Sequence, residues 1–274
     1  MEANPIAQRS GWISTLFGAT GRVVLAILGY VGGVASIAYL SFREFFLLDR
    51  QGRAETLAGV VRQMLFTGID ALPVITVMAL LLGWVVIIQA GTQLPKVGAE
   101  RLIGQILVVT IVRELAPLLT AFVIIGRSGS AVATELGYMR VNQELAALEV
   151  MGIPLGRFLL APRVIGFWLA TLCLTIYFAV IAILGGFALA AAMLTVPFRV
   201  FVESLQAALS LADLEMILIK CSLFGLVIAG IACLHGLRVQ RSYTEIPQQT
   251  TQAIIYAVMV CFALNLVVTV LFYL

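Results

Sequence analysis

Long apolar runs separated by short polar segments dominate the chain. Five of these runs cover residues 72–91, 102–126, 164–198, 216–235 and 253–274. Each reaches the roughly 20 residues that a helix needs to cross a hydrocarbon core of about 30 Å. The pattern therefore predicts an all-α integral membrane protein with about five transmembrane helices. The third run exceeds one straight crossing, so Gly185-Gly186 marks a place for it to tilt, break or leave the membrane, with its last third a loop.

Residues 23–42 form a further apolar run, diluted by glycines and bounded by arginines, which is long enough to span or to lie in the interface. Basic residues separate the two topologies, because cytoplasmic loops carry an excess of them. An interfacial segment leaves only Lys96, Arg101 and Arg199 outside, and a spanning one would add the arginines that precede it. This favours an N-terminal interfacial helix and an outer C-terminus. The basic residues then assigned to the cytoplasmic side are Arg9, Arg22, Arg43, Arg50, Arg53, Arg62, Arg127, Arg140, Arg157, Arg163, Arg238 and Arg241.

Composition narrows the class further. Hydrophobic residues make up 62% of the chain and charged residues 11%, so it could not remain soluble as one globule. The net charge of +3 fits loops beside anionic headgroups and gives no reason to predict nucleic-acid binding. Neither CxxC spacing nor clustered histidine accompanies the cysteines, which predicts small buried residues instead of disulfides or metal ligands. They are Cys173, Cys221, Cys233 and Cys261, all within apolar runs.

Arg113 and Glu114 adjoin each other almost at the middle of the run 104–126. An ionisable residue at the centre of a membrane helix costs roughly 2.5–3.5 kcal/mol on insertion scales, so the pair must face protein or water. Pro117 clashes with the carbonyl of Arg113, which predicts a helix that bends or loosens there. Glu114 is the nearest counter-charge that the local sequence offers Arg113. Two interpretations follow: a substrate path in a transporter, or a structural pair that fixes helix packing.

The segment 126–151 begins with a glycine and serine cluster that predicts the end of the membrane helix. An amphipathic helix follows, in which Arg140 and Glu144 have the i,i+4 spacing of an ion pair. Gly152-Ile153-Pro154 ends it. The helix is either a cytoplasmic docking surface or an interfacial helix, although its acids fit an anionic membrane poorly. Its apolar positions are Leu136, Met139, Leu145 and Leu148, and its polar ones are Glu135, Arg140, Asn142, Glu144 and Glu149.

Two rival functions can be formulated from the sequence. Gly126-Arg127-Ser128-Gly129 satisfies the G-x-S-G pattern of rhomboid intramembrane serine proteases, and the single histidine, His235, is a candidate base. The motif is short, Ser128 stands beside an arginine, and His235 also fits an interfacial boundary residue at the end of the fourth run. A passive channel would require pore-lining rings or filter residues, which the sequence does not display. A transporter would need a separate ATPase, because the chain contains no GxxxxGK[ST] phosphate loop.

Residues 113–166 resemble the MlaE/YrbE family, the permease subunits of bacterial ABC systems that work with MCE proteins in lipid trafficking. The stretch joins the charged pair, a G-R-x-G-S-A turn, an E-x-G-x-M-R helix and a terminal P-R in one order and spacing. Weaker similarity extends from Arg62 to the C-terminus, through Gln89 of the first span and the LIKCSLFG stretch around Lys220.

The resemblance implies a homodimeric, multi-pass permease of the bacterial inner membrane. Such a permease moves phospholipid or a similar amphiphile between that membrane and a periplasmic MCE protein, which maintains outer-membrane lipid asymmetry. A cytoplasmic ATPase dimer binds the ATP, and a small STAS-domain protein is a further expected partner on that ATPase. The permease itself is expected to be no enzyme and to hold no cofactor. Residues 1–62 would form an N-terminal cytoplasmic and interfacial region, and residues 63–274 the permease domain with a coupling loop at 127–163.

Carried over by position, Arg113 and Glu114 would lie near the lipid path. Lys220, a second charge inside a span, would fit the same cavity and with Arg113 meet the phosphate, or else snorkel to the outer interface. Some relatives have an acid where this chain has Asn265, so no acid here is available to pair with Lys220. Acyl chains would contact the first and last spans at Leu81, Trp84, Val85, Gln89, Leu264 and Val268. The ATPase would contact residues 135–152, namely Glu135, Met139, Arg140, Glu144, Leu145, Leu148 and Glu149.

Overall fold

The computed structural model describes residues 25, 28–45, 50–98, 102–190, 198–240 and 242–274, and every regular element in these ranges is helical. The predictions that concern Arg9, Arg22, Arg101, Arg241 and residues 191–197 lie outside this description. The helices are α1 (residues 28–45), α2 (Arg50–Gly68), α3 (Leu72–Gln93), α4 (Ile103–Leu107), α5 (Ala116–Ile124), α6 (Ser130–Val141), α7 (Glu144–Val150), α8 (Ala161–Val180), α9 (Gly186–Ala190), α10 (Phe198–Ala208), α11 (Leu211–Arg238) and α12 (Glu245–Tyr273).

Short irregular helical segments join several of these helices end to end. Two are 3₁₀ turns, Ile69–Ala71 and Pro95–Val97, and four are π-helical, Val108–Leu115, Ile125–Gly129, Gly156–Leu160 and Ile181–Gly185. Within the described residues five continuous helices are long and apolar enough to cross a membrane. Spans 1 to 5 are Thr56–Gln93, Ile103–Val141, Gly156–Ala188, Leu211–Arg238 and Glu245–Tyr273. The prediction of an all-α membrane protein with five spans is therefore confirmed.

The sequence predicted that the second span ends at the glycine and serine cluster, but the helix does not end there. The π-helical segment Ile125–Gly129 absorbs the cluster, and the helix continues to Val141. Arg127, within this segment, places Nη2 2.6 Å from Asp70 and donates Nη1 to the Phe66 carbonyl at 3.0 Å. These contacts join the second span to the junction of α2 and α3. Both spans continue as helices beyond this ion pair.

The third span continues as a helix through Gly185-Gly186, the place where a tilt, a break or an exit from the membrane was predicted. The π-helical segment Ile181–Gly185 leads directly into α9, and Gly186 packs against Gly83 of the first span. A Cβ atom built on Gly83 would lie only 1.9 Å from the Ala182 carbonyl oxygen. Small residues permit this close approach, which is a common basis of helix association in membranes. The glycines therefore hold spans 1 and 3 together and do not end the helix.

Helix α1 lies across one end of the bundle. Its Tyr30 hydroxyl is 3.1 Å from His235 Nε2, near the end of α11, and its Glu44 side chain lies close to Gly156, at the start of the third span. Both sites belong to the same end of the bundle, because the chain enters span 3 where it leaves span 4. Val34 and Ile37 of α1 are buried, and Val34 packs against Gly230 of α11. This placement agrees with the predicted interfacial helix.

The fourth span forms the centre of the bundle. It is the most buried of the five spans and packs against α8, α12 and α6. Cys221, Cys233 and Cys261 are buried, as predicted, but Cys173 is exposed on the outer side of α8. A polar residue on the inward face of α11 is therefore surrounded by protein and must find its partners there.

Candidate functional site

The charged pair of the second span lies in the π-helical segment Val108–Leu115, directly before Pro117. The predicted loosening of the helix at this point is confirmed. Its position in the span differs from the prediction, however, because the helix runs from Ile103 to Val141. Arg113 is ten residues from its start (103 to 113), which corresponds to about 15 Å along the axis. The pair thus lies about halfway between the start of this helix and its midpoint at Phe122.

Arg113 pairs with Asp213, in the first turn of α11. Its Nε donates to Asp213 Oδ1, and its Nη1 donates to the Tyr273 hydroxyl at 3.0 Å. Asp213 Oδ2 accepts from the Ser210 backbone N–H at 2.8 Å, which completes a capping box at the start of α11. Asp213 is 2% exposed. Sequence reasoning missed this residue, although the Ser-x-x-Asp pattern before an apolar run is the signal that could have found it.

Glu114 pairs with Lys220, not with Arg113. Its Oε1 lies 2.9 Å from Lys220 Nζ and accepts from the Thr269 hydroxyl at 2.9 Å. Its Oε2 accepts from Asn265 Nδ2 at 2.8 Å. The predicted mutual compensation of Arg113 and Glu114 is therefore wrong, since each charge is matched by a residue of the fourth span. Asn265 occupies the position at which some relatives have an acid, and it donates to Glu114 instead of pairing with Lys220.

Pro117 explains the second contact of Lys220. Proline has no backbone N–H, so the Arg113 carbonyl lacks its usual donor four residues later. Lys220 Nζ donates to that carbonyl at 2.9 Å, in addition to its bond with Glu114. The Lys220 side chain is fully buried. Its ammonium group does not reach an interface, so the predicted alternative in which Lys220 snorkels to the outer interface is excluded.

Exposure within this charged cluster is uneven. The side chains of Arg113 and Glu114 are 24% and 29% exposed, whereas their partners Asp213 and Lys220 are 2% and 0% exposed. Among the described hydrogen bonds none involves Arg113 Nη2. A polar cavity of about 330 Å³ reaches Arg113 between α4 and α10. The cluster is thus closed on the side of the fourth span and accessible on the side of the second.

The amphipathic segment forms two helices, not the one predicted over 135–152. Gln143 adopts a left-handed conformation, with φ of 60°, and separates α6 from α7, while Gly152, with φ of 75°, ends α7 as predicted. This break removes the i,i+4 geometry of Arg140 and Glu144, and Glu144 accepts from Asn142 at 3.2 Å instead. The predicted faces are otherwise present: Leu136 and Leu145 are buried, Met139 and Leu148 are half-buried, and Glu135, Arg140, Glu144 and Glu149 are exposed.

Residues 60–271 match the family model described as Permease MlaE. The chain belongs to the MlaE permease family. It is 30% identical to the intermembrane phospholipid transport system permease protein MlaE of Haemophilus influenzae, over 100% of this chain and 99% of that protein. It is 32% identical to a probable ABC transporter permease protein of Synechocystis sp., over 83% and 86% of the two chains. The chloroplastic protein TRIGALACTOSYLDIACYLGLYCEROL 1 of Arabidopsis thaliana is 29% identical over 78% of this chain and 61% of its own.

The predicted acyl-chain contacts of this MlaE-family chain lie on two separate surfaces. Helix α3 packs mainly against the third span, whereas α12 packs against α11 and α6. One copy of the chain therefore does not form a single wall from the two helices. On α3, Leu81, Val85 and Gln89 are exposed and Trp84 is half-buried; on α12, Leu264 and Asn265 are half-buried and Val268 is buried.

The protease alternative fails on geometry. His235 is 1% exposed, and both ring nitrogens are occupied: Nε2 by the Tyr30 hydroxyl at 3.1 Å and Nδ1 by Gln249 Oε1 at 2.9 Å. Burial raises the pKa of Tyr30 to about 12. Because Gln249 Oε1 can only accept, the proton lies on Nδ1, and Nε2 accepts from the Tyr30 hydroxyl. Ser128 is buried beside Arg127 and shares no described hydrogen bond with His235. His235 is therefore a buried link between α1, α11 and α12, in the last turn of the fourth span.

Proposed function

We propose that this chain is the permease subunit of an ABC transporter that moves phospholipid, or a similar amphiphile, between the inner membrane and a periplasmic MCE protein. The Haemophilus relative carries the name of an intermembrane phospholipid transport permease and matches over the full chain. ATP is bound and hydrolysed by a separate subunit, since the chain contains no phosphate loop of its own.

The uneven exposure of the charged cluster carries this proposal. Arg113 keeps one guanidinium nitrogen without a described partner, while Asp213 holds the group in place from the buried side. A guanidinium fixed in this way is suited to the oxygens of a phosphate. Lys220 is fully buried and bound to Glu114, so it supports the site without reaching the lipid itself. We therefore assign the headgroup phosphate to Arg113.

The acyl chains would lie along the apolar surface next to the cluster. The fifth span is the least buried of the five, and Met259, Phe262 and Leu266 are exposed along it. Leu81 and Val85 give α3 a similar apolar surface. In a homodimer these faces of the two copies would enclose a shared cavity, and the lipid would enter it with its phosphate at the cluster.

Coupling to the ATPase dimer is assigned to the exposed surface of α6 and α7. The Tyr243 hydroxyl donates to Asn142 Oδ1 at 2.6 Å, between these helices and the segment that enters α12. Helix α12 also carries Asn265 and Thr269 of the cluster. A displacement of α7 by the ATPase would therefore be passed to the helix that supports Glu114. A STAS-domain protein on the ATPase, and maintenance of outer-membrane lipid asymmetry, complete the proposed system.

The proposal is tested by native mass spectrometry of lipid retained by the purified complex. The variant R113Q/D213N keeps two side chains that can hydrogen-bond to each other but removes both charges. The control R199Q/E203Q removes the exposed i,i+4 pair of α10. We expect R113Q/D213N to lose the phospholipid held at the charged cluster, and therefore to retain fewer phospholipid molecules per permease than wild type and control. Equal retention by all three, or no retained phospholipid in wild type, would refute the proposal.

A further inference from the structure

A second polar cavity lies away from the charged cluster, between α2 and the start of the third span. It has a volume of about 830 Å³. Its polar lining includes Arg62 and Gln63 of α2, Arg157 and Arg163 of the third span and Glu135 of α6. With three arginines and one acid among its described lining residues, this basic cleft carries an excess of positive charge. It is therefore suited to an anion.

The arginines of the basic cleft are not fully satisfied by the protein. Arg163 is 7% exposed, and its Nη2 lies 2.9 Å from Glu135, but its Nη1 is buried without a hydrogen-bond partner. Buried guanidinium groups normally have acceptors for their N–H groups, so this atom indicates a missing acceptor. Arg62 and Arg157 form no ion pair with any residue that the structure describes.

The surroundings of the basic cleft are apolar. Its lining includes Ile153, Pro154 and Phe158, and Phe158 is 59% exposed. A free inorganic anion would leave this surface uncovered, whereas the acyl chains of a lipid would cover it while its phosphate occupied the cleft. The cleft also lies at the end of the bundle that carries α1, since Glu44 of α1 lies close to Gly156 beside the cleft.

We propose that the basic cleft binds the headgroup phosphate of an anionic phospholipid from the bilayer leaflet at this end of the bundle. Basic pockets between membrane helices on the cytoplasmic side are known to hold such headgroups. The site is separate from the charged cluster, so this lipid is held by the permease and is not the one being moved. It fixes α2 against the start of the third span, next to the proposed coupling surface.

The test compares lipid binding in nanodiscs of phosphatidylcholine with and without phosphatidylglycerol. The variant R62Q/R157Q removes two charges of the basic cleft but leaves the Arg163–Glu135 pair intact. The control R43Q/R238Q removes two exposed arginines at the same end of the bundle but outside the cleft. Native mass spectrometry reports the phosphatidylglycerol retained after release from the nanodisc, and thermal unfolding confirms that each variant is folded.

We expect wild type and control to retain phosphatidylglycerol selectively and R62Q/R157Q to bind it at least about tenfold more weakly, given the contribution of two arginines near a membrane surface. Unchanged selectivity in R62Q/R157Q would overturn the proposal. Displacement of the lipid by inorganic phosphate would overturn it in favour of a soluble anion site. Loss of ATPase capture with lipid retention intact would overturn it in favour of a protein docking surface. Phosphatidylglycerol should still be retained by the charged-cluster variant R113Q/D213N, which distinguishes the basic cleft from the transport site.

Discussion

Lys220 lies 2.9 Å from Glu114 and, at the same distance, donates to the backbone carbonyl of Arg113, which Pro117 leaves without a helical donor. One buried ammonium group therefore compensates both a charge and a break in the helix ladder. The proline, the glutamate and the lysine form one structural unit, even though more than one hundred residues separate the first two from the third. Changes to any single member should be costly, and changes to matched members should be tolerated.

Stability measurements can separate single from paired substitutions at this unit. Replacing Glu114 by alanine leaves Lys220 charged and buried without its counter-ion, which costs about 3 kcal/mol for a broken buried pair. The double variant E114L/K220L removes the charges together, so it should be more stable than E114A even though the Arg113 carbonyl also loses its donor. Thermal unfolding of the purified permease measures both. If E114A were as stable as the double variant, the ion pair would have no structural role.

The contact between spans 1 and 3 provides a second prediction. Replacing Gly83 by alanine places a methyl group against the Ala182 carbonyl, so the spans must separate, at a cost of roughly 1–3 kcal/mol for overpacking. Gly126 has no atom within 4 Å of its built Cβ and serves as the matched control. We expect G83A to unfold at a lower temperature and G126A to unfold at or above the wild-type temperature. Similar melting of both variants would contradict the close packing.

Charge reversal tests the coupling surface. Glu144 and Glu149 are exposed on α7, so replacing both by arginine should leave the permease inserted and folded but weaken its capture of the ATPase several-fold. Replacing the exposed Glu203 of α10, at the opposite end, should leave capture unchanged. Copurification and ATP turnover provide the measurements. Full capture by E144R/E149R would remove α7 from the proposed interface.

Topology is tested with single cysteines at Gln93 and Gln240, both exposed, in a chain whose native cysteines have been replaced. The five-span arrangement places these positions at opposite ends of the bundle. A membrane-impermeant maleimide should label position 93 in intact cells and position 240 only after permeabilisation. Labelling of both from one side would contradict the arrangement.

Much of the fold could be predicted from the sequence because membrane-spanning helices can be recognised from the length and apolarity of their segments. The interruptions predicted at Gly126 and at Gly185-Gly186 are both absent: at Gly126 the chain continues as the π-helical segment Ile125–Gly129, and Gly186 packs against the first span. In water glycine weakens a helix, but in a bundle it also allows backbones to approach, as Gly83 and Gly186 do. Composition alone does not distinguish the two uses, since the difference lies in the neighbouring helix.

The candidate site was predicted in part. Arg113, Glu114 and Lys220 could be found because charges inside apolar runs are conspicuous, but their pairing could not, since it depends on which helix faces span 2. Asp213 was missed because it stands at the edge of its apolar run, where an acid normally caps a helix. It performs that role and also binds Arg113.

Lipid transfer by the reconstituted transporter tests most directly whether the charged cluster lies on the lipid path. The permease variant R113Q/D213N, assembled with its ATPase and MCE partner in proteoliposomes, should fold and capture the ATPase like wild type. Its rate of phospholipid transfer should nevertheless fall about tenfold or more, because a charge-assisted bond to phosphate contributes about 1.5–3 kcal/mol. Transfer at the wild-type rate by the assembled variant would show that the cluster only fixes helix packing, and the account of the lipid path would be wrong.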